Sequence, residues 1–212
     1  INLGNKEWNI LGTDASGYMQ DTRFCILAAT NSLAFTGQNR YITFKNIRVE
    51  STGNKADGLN AGFYRNTLGN GNFITAENMN ISKFSGTVFD VLDIIDSQFI
   101  NLKIDNVAKA FHFGLQDWTR GTTVMIDRGY FTNSTVVFDC DYTTESKLTN
   151  TIIEFCGMGH INYGSWTVDN LYLENNVSNL YATDTRLTWG FVFDLTALDE
   201  ILNTQTGLDY YN

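Results

Sequence analysis

From about residue 40 the chain returns six times to one short pattern, and this repetition limits the possible fold more than any other feature of the sequence. Clear copies lie at residues 42–49, 74–81, 99–104 and 166–173. The copies align on six positions at intervals of 32, 23, 27, 22 and 20 residues, namely Asn46, Asn78, Asn101, Arg128, Asn150 and Asn170. Apolar and polar residues alternate in each copy, as in a β-strand with one buried face. A coil of this length cannot bury its apolar face alone, so the repeats predict a solenoid of stacked coils.

A second landmark follows each of these positions at a nearly constant distance. It is a triplet, usually apolar–polar–apolar: Leu59-Asn60-Ala61, Phe89-Asp90-Val91, Phe111-His112-Phe113, Phe138-Asp139-Cys140, Ile161-Asn162-Tyr163 and Leu180-Tyr181-Ala182. The flanking residues are expected to point inward and the middle residue outward. We therefore expect Phe89, Phe111 and Phe138 to stack inside the solenoid.

Two features of the composition agree with stacked parallel strands. The chain has 24 Asn and no Pro. Proline is excluded where backbone N–H groups are needed for ladders between strands, and Asn tolerates the left-handed backbone of tight corners. An antiparallel sandwich is the alternative all-β fold, but it does not explain two landmarks that hold register.

The charge and the cysteines exclude several kinds of function. A net charge of −9 with 14 Lys and Arg disfavours binding to nucleic acid or to an anionic membrane. No apolar run approaches the ~18 residues of a membrane span, which predicts a soluble chain without membrane insertion. Three cysteines without metal-like spacing are expected to be buried apolar residues. We predict no cofactor and no metal; Ca²⁺ near Asp139 and Asp141 lacks the full spacing of a calcium loop.

The Asn-anchored coils resemble the right-handed parallel β-helix of pectate-lyase-like proteins, and within that superfamily the tailspike or tail-fibre depolymerases of bacteriophages. The resemblance covers about residues 40–185 and is one of repeat style, with no catalytic motif to map. It implies a homotrimer of the virion tail, or alternatively a secreted protein, that binds and often cleaves bacterial surface polysaccharide.

The expected fold is thus an all-β, right-handed parallel β-helix of about six to eight coils. We expect one domain over 1–212, with N-terminal opening coils at 1–39, regular coils at 40–185 and a C-terminal cap or last coil at 186–212. A short helix capped by Asp194 is expected in that last segment. Tyr172, Tyr130 and Trp8 are candidates for the seam of a trimer.

The middle residues of the triplets should form an outward column, and this column is the predicted catalytic site. His112 lies in it between Asp90 and Asp139, whose backbones would be about 9.6 Å apart. Two carboxyl groups are the usual equipment for glycoside hydrolysis, and this spacing suits an inverting enzyme. Asp90, Asp139 and His112 are therefore the predicted catalytic residues.

Residues around that column are predicted to bind the substrate. They are Asp141, His160, Asn162, Tyr64, Arg65, Trp118 and Arg120. His160 is expected in a second outward column with Val88, Ala110 and Val137. Glu154 and Glu174 form a lower-ranked acidic pair on another face.

The simplest alternative for the whole column is a solvated face of the solenoid, since strand surfaces must carry polar residues. Three further functions also remain open. They are a non-catalytic carbohydrate-binding module, a structural trimeric shaft, and a secreted polysaccharide lyase or epimerase.

Overall fold

The computed structural model describes residues 1–4, 7–11, 24–28, 34–38, 40–53, 62–66, 71–114, 121–183, 186–190 and 192–194. Only the backbone is described for 24–28, 162, 179–183, 186–189 and 192–194. The regular elements of these residues are the strands β1 Trp8–Leu11, β2 Phe24–Ala28, β3 Phe35–Thr36, β4 Tyr41–Ser51, β5 Tyr64–Asn66, β6 Phe73–Ser82, β7 Thr87–Val91, β8 Ile94–Ile95, β9 Gln98–Asp105, β10 Lys109–Phe113, β11 Gly121–Thr122, β12 Met125–Asp127, β13 Tyr130–Thr132, β14 Val136–Asp141, β15 Thr143–Thr144, β16 Ser146–Glu154, β17 Gly157–Asn162, β18 Ser165–Glu174, β19 Ser178–Thr183, β20 Arg186–Trp189 and β21 Val192–Asp194.

The strands form three sheets that follow the order of the coils. The large sheet has eleven strands in the order β1-β4-β6-β9-β12-β16-β18-β20, with β2, β13 and β21 beside them. The second sheet, here called the site sheet, runs β3-β5-β7-β10-β14-β17-β19, and a third, three-stranded sheet runs β8-β11-β15. Every described pairing between strands is parallel. The chain is therefore a parallel β-solenoid, as predicted, and the antiparallel sandwich is excluded.

The number of fully closed coils is smaller than the six to eight predicted. Among the described residues, the third side consists of the three strands of its sheet and an isolated bridge from Asn72 to Ile94. About four coils are thus closed on all three sides, since the other described coils show strands on two sides only. The predicted C-terminal helix after Asp194 lies outside the described residues.

Left-handed backbone at one corner explains why Asn recurs there. Asn46, Asn78, Asn101, Asn150 and Asn170 have φ between 50° and 56°. Asn tolerates this conformation better than other residues with a side chain. Their amides also bond between coils: Asn78 Nδ2 donates to Asn46 Oδ1 (3.0 Å), Asn101 to Asn78 (2.7 Å), and Asn170 to Asn150 (2.7 Å). The repeated Asn therefore sets both the turn and the register.

Aromatic rings stack from coil to coil in the core, as predicted. Phe89, Phe111 and Phe138 are fully buried. The ring centroid of Phe111 lies 5.9 Å from that of Phe89 and 6.1 Å from that of Phe138, with the planes nearly parallel. Phe111 also meets Phe131 of the large sheet edge to face at 5.5 Å. The two larger sheets thus share one core, and their outer faces point in different directions.

Two of the predicted triplets are out of register. Arg65, rather than Asn60, pairs with Asp90, and Asn60 lies outside the described residues. In strand β17, His160 rather than Asn162 pairs with Asp139, because Gly159 takes the position that Phe138 has in β14. Gly159 has a φ of 84° and no room for a Cβ beside the Phe138 carbonyl, so the apolar flank that defines the triplet is missing there.

No helix in the described part of the chain has the length and apolar character needed to cross a membrane.

Truncation of the central stacked ring should be costly. Phe111→Ala removes a fully buried aromatic side chain and should lower the free energy of unfolding by about 3–5 kcal/mol. Val177→Ala, at a position 81% exposed, is the matched control and should change it by less than about 0.5 kcal/mol. Urea denaturation followed by circular dichroism measures both values, and equal effects would contradict the described core.

Arg128, which takes the place of Asn at one of the six aligned corner positions, offers a stabilising substitution. Arg128 has a φ of 55°, and an Asn there would adopt this backbone at lower cost. We expect Arg128→Asn to raise the free energy of unfolding by about 1 kcal/mol, or Tm by roughly 2–4 °C. Lys147→Asn, on the exposed face of extended strand β16, should give no gain. Calorimetry of the two variants tests the role of the corner; a lower Tm for Arg128→Asn would refute it.

Candidate functional site

Five charged or ionisable side chains form one column across the site sheet, here called the Asp139 column. The strand register places Arg65 beside Asp90, Asp90 beside His112, His112 beside Asp139, and Asp139 beside His160. Neighbouring members are about 4.8 Å apart at the backbone. The predicted order Asp90–His112–Asp139 is present, and the corrected register adds a basic residue at each end, Arg65 and His160.

Asp90 is buried between two donors. Its side chain is 6% exposed, and its oxygens accept from Arg65 Nε (2.5 Å) and contact His112 Nδ1 (2.7 Å). Burial alone would raise the pKa of Asp90, but the hydrogen bonds from His112 and Arg65 outweigh burial and hold the pKa below its ordinary value. The expected exposure of Asp90 is therefore wrong, because this carboxyl is enclosed. Its predicted catalytic role stays a prediction.

The contact with Asp90 also fixes the proton of His112. A carboxylate only accepts hydrogen bonds, so the Nδ1 atom that faces Asp90 carries a proton. The other nitrogen, Nε2, then points to Asp139, 4.0 Å from its Oδ2 atom. Asp90 thus orients the imidazole in the way a buried carboxylate orients the histidine of a catalytic triad.

Asp139 is the central accessible carboxylate. It is 19% exposed, forms an ion pair with Lys109 Nζ, and lies 2.9 Å from His160 Nε2. Lys109 reaches it from the same strand as His112. Asp139 therefore has partners on two sides, the Lys109 ammonium and the His160 imidazole, while part of the carboxyl remains open to solvent.

A second accessible carboxylate lies on the same strand. Asp141 is two residues beyond Asp139, is 27% exposed, and its Oδ1 lies 3.8 Å from the same His160 Nε2 atom. Alternate residues of a strand face the same side and lie about 6.6 Å apart at the backbone. Among the residues that the structure describes, Asp139 and Asp141 are thus two accessible carboxylates on this face, both close to His160.

The other predicted binding residues have mixed outcomes. Tyr64 is fully buried in the core beside Phe44, and burial raises its pKa to about 12, so its predicted contact with sugars is wrong. Arg65 lies in the column itself. Trp118 and Arg120 lie outside the described residues, as does the side chain of Asn162.

At the three positions Val88, Ala110 and Val137, which the structure describes, the predicted second column does not face outward. Val88, Ala110 and Val137 are all fully buried. Alternation fails at the start of these strands, where two consecutive residues, such as Ala110 and Phe111, are both buried. The same irregularity brings Lys109 to the outer face, which is why strict alternation misses it as a partner of Asp139.

Two tyrosines beside the column were also missed. Tyr142 and Tyr163 follow β14 and β17 directly, and their rings stack at 4.9 Å with an interplanar angle of 13°. Tyr163 is 46% exposed. Both have φ of 53°, which is uncommon for an aromatic residue, so nothing in the local sequence marks a corner there.

Among the residues that the structure describes, no group of three or more His, Cys, Asp or Glu side chains could hold a metal ion. Cys140 and Cys156 are buried, as expected, and burial raises the pKa of the Cys140 thiol well above its ordinary range.

Comparison with known proteins shows the fold and leaves the family open. No protein-family model matches the chain. No curated protein matches it in sequence. A solved structure from Pantoea stewartii, WceF, is similar with a TM-score of 0.55 and 18% identity over 92% of this chain. WceF is described as a glycan biofilm modifying enzyme with a bacteriophage tailspike-like parallel β-helix fold. The present chain corresponds to 33% of its length, and the likeness establishes a parallel β-helix.

The enclosed carboxyl predicts a definite dependence of stability on pH. Because the pKa of Asp90 is lowered on folding, its contribution is fully present above about pH 4 and is lost as pH falls through the folded-state pKa. Asp90→Asn should cost about 2 kcal/mol at pH 7, since it weakens two charged hydrogen bonds. The difference from the native chain should shrink below pH 4.

Urea denaturation at pH 7, 5, 4 and 3 measures this difference. Asp169→Asn, at an exposed carboxyl of the large sheet, controls for the loss of one negative charge. A gap between native and Asp90→Asn proteins that stays constant down to pH 3 would contradict the described contacts.

Proposed function

We propose that the chain binds a polysaccharide on the site sheet and cleaves it by glycoside hydrolysis, with Asp139 and Asp141 as the reacting carboxyl groups. The observation that carries this proposal is the placement of these two accessible carboxylates on one strand, both near His160 Nε2 at 2.9 and 3.8 Å. Hydrolysis of a glycosidic bond requires a pair of carboxyl groups that reach the same bond.

Their surroundings suggest different roles for the two groups. Asp139, in contact with Lys109 Nζ and His160 Nε2, is the candidate for the nucleophile. Asp141 is more exposed and is the candidate for the acid that protonates the leaving oxygen. The sugar would then be transferred to Asp139 and released by water, with Asp141 taking the proton back from that water.

The spacing changes the expected stereochemistry. Asp90 and Asp139, two coils apart, suited an inverting mechanism, but Asp90 is enclosed by Arg65 and His112. One oxygen of Asp139 and one of Asp141 lie 2.9 and 3.8 Å from the same nitrogen, so these two oxygens are no more than about 6.7 Å apart. A pair with this upper limit suits the ~5 Å of retaining enzymes better than the ~6.5–9.5 Å of inverting enzymes. The proposal is therefore a retaining hydrolase.

The remaining column residues act as positioning residues in this proposal. Arg65 fixes Asp90, Asp90 fixes His112, and the Nε2 atom of His112 faces Asp139. The stacked pair of Tyr142 and Tyr163 follows Asp141 and provides an apolar surface for a neighbouring sugar ring.

The fold supports the substrate class. The similar structure WceF is described as modifying glycan and as tailspike-like. Within this proposal, the protein is a tailspike-type receptor-binding domain of a phage tail, and the substrate is a bacterial capsule or O-antigen. Association into a homotrimer belongs to the same proposal.

One observation favours a second candidate, cleavage by elimination. His112 Nδ1 is tied to Asp90, so Nε2 is an oriented base, and Lys109 is a cation nearby. In elimination, a base removes the proton next to a sugar carboxylate, and a nearby cation offsets the negative charge that develops there. The product distinguishes the two reactions, because elimination leaves an unsaturated sugar with ultraviolet absorbance.

Incubation with a panel of capsular and O-antigen polysaccharides tests the proposal. We expect new reducing ends without that absorbance, and retention of anomeric configuration by NMR. Asp139→Asn and Asp141→Asn should each lower the rate by about 10² or more, in line with the loss of nucleophilic or acid–base assistance.

Asp169→Asn, an exposed carboxyl of the large sheet, is the matched control and should retain full activity. Near-normal turnover in Asp139→Asn would overturn this assignment of the site. Ultraviolet-absorbing products would favour elimination, and binding without either product would favour a non-catalytic module.

A further inference from the structure

The large sheet carries an aromatic surface on a different side of the solenoid from the Asp139 column. The register places Tyr130 beside Ile152, and Ile152 beside Tyr172, in three successive coils. Two residues further along the strands, Glu154 lies beside Glu174. We call these five residues the tyrosine face. Phe131, next to Tyr130, packs inward on Phe111 of the site sheet, so Tyr130 points away from that sheet.

Hydrogen bonds from their hydroxyl groups hold the Tyr130 and Tyr172 side chains against the surface of the sheet. Tyr172 Oη donates to Glu174 Oε2 at 2.8 Å, two residues further on its own strand. Tyr130 Oη donates to Glu154 Oε2 at 2.8 Å, which is the same displacement on the neighbouring coil. A strand side chain that reaches a residue two positions ahead leans along the strand instead of standing upright. Both rings therefore lean in the same direction along the strands, and each is partly exposed.

Both rings are partly exposed, and the ring of Tyr130 already contacts a positive group. Lys103 Nζ lies over the Tyr130 ring, 5.3 Å from its centroid. Ile152, between the two rings, is 38% exposed and continues the apolar surface. The negative face of an aromatic ring attracts groups that carry partial positive charge, such as the C–H face of a sugar.

The two carboxylates supply hydrogen-bond acceptors beside these rings. The hydrogen bond to Glu154 raises the pKa of Tyr130, and that to Glu174 raises the pKa of Tyr172, so both hydroxyls remain protonated donors at neutral pH. Each carboxylate has capacity for further donors, since it accepts at about four lone-pair positions. Sugar hydroxyls are such donors.

The spacing suits an extended chain of sugars along the solenoid axis. Tyr130 and Tyr172 are two coils apart, about 9.6 Å. That is comparable to the length of two sugar units, so alternate rings of one chain would meet the two tyrosines.

We propose that the tyrosine face is a second, non-catalytic binding site for an extended polysaccharide chain. It takes its ligand class from the proposed function but is separate from the site of cleavage. A second site of this kind keeps a long polymer attached while the Asp139 column acts on another part of it.

Binding to an array of immobilised bacterial capsular and O-antigen polysaccharides tests this inference. The measurements use the Asp139→Asn protein, so that cleavage does not remove the ligand. Adding Tyr172→Ala should lower the apparent affinity about tenfold, the effect of losing one aromatic contact. Tyr172→Phe, which keeps the ring, should have a smaller effect. Adding Tyr41→Ala, at an aromatic residue 46% exposed elsewhere on the large sheet, is the matched control and should have none.

Three outcomes would overturn the inference. The first is unchanged affinity in Tyr172→Ala, and the second is no binding by the parent protein. The third is a change of oligomeric state in Tyr172→Ala by sedimentation equilibrium, which would make this face a contact between copies, as predicted for the seam of a trimer.

Failure of the inference is separable from failure of the proposed function. Loss of binding in Tyr172→Ala supports the tyrosine face even if no polysaccharide on the array is cleaved by the native protein. Conversely, if the native protein cleaves a polysaccharide but Tyr172→Ala does not change the affinity, the inference fails and the proposed function stands.

Discussion

Backbone hydrogen bonding from coil to coil is the constraint on which the rest of the structure depends. Each strand pairs in parallel with its counterparts in the coils before and after it, so a residue's position within one coil decides its neighbours in the next. Proline is absent because it would remove a donor from these ladders. Asn at left-handed corners closes each coil without shifting the register. Columns of like or complementary side chains follow directly, whether they are stacked Phe rings inside or ion pairs outside.

In the Asp139 column, this stacking makes basic and acidic side chains alternate from coil to coil. Asp90 is enclosed by Arg65 and His112, and its charge is used to orient a histidine. Asp139 and Asp141 lie on one strand and remain partly accessible, with Lys109 paired to Asp139 and His160 close to both. One buried carboxylate thus orients a histidine, while two other carboxylates are partly exposed, because neighbouring side chains cover Asp90 more fully than Asp139 and Asp141. This difference is what makes Asp139 the centre of the proposed chemistry.

The sequence predicted most of the repeat but only part of the site. The Asn corners, the Phe89–Phe111–Phe138 stack and the order Asp90–His112–Asp139 all follow from the two-residue period and the coil spacing. The position of His160 did not follow, because Gly159 replaces the apolar residue that marks the register. Lys109 and the burial of Val88 were missed because alternation fails where these strands begin. The burial of Asp90 could not be predicted either. A periodic pattern indicates that its side chain points outward from the core, but not that Arg65 covers it.

The most direct test of the account is a crystal structure of the Asp139→Asn protein soaked with an oligosaccharide of the polysaccharide that the native chain cleaves or binds. The account predicts a sugar ring on the site sheet, with its glycosidic oxygen within hydrogen-bonding distance of Asp141 and its anomeric carbon next to residue 139. An oligosaccharide bound only at the tyrosine face, or on a surface remote from both, would contradict it.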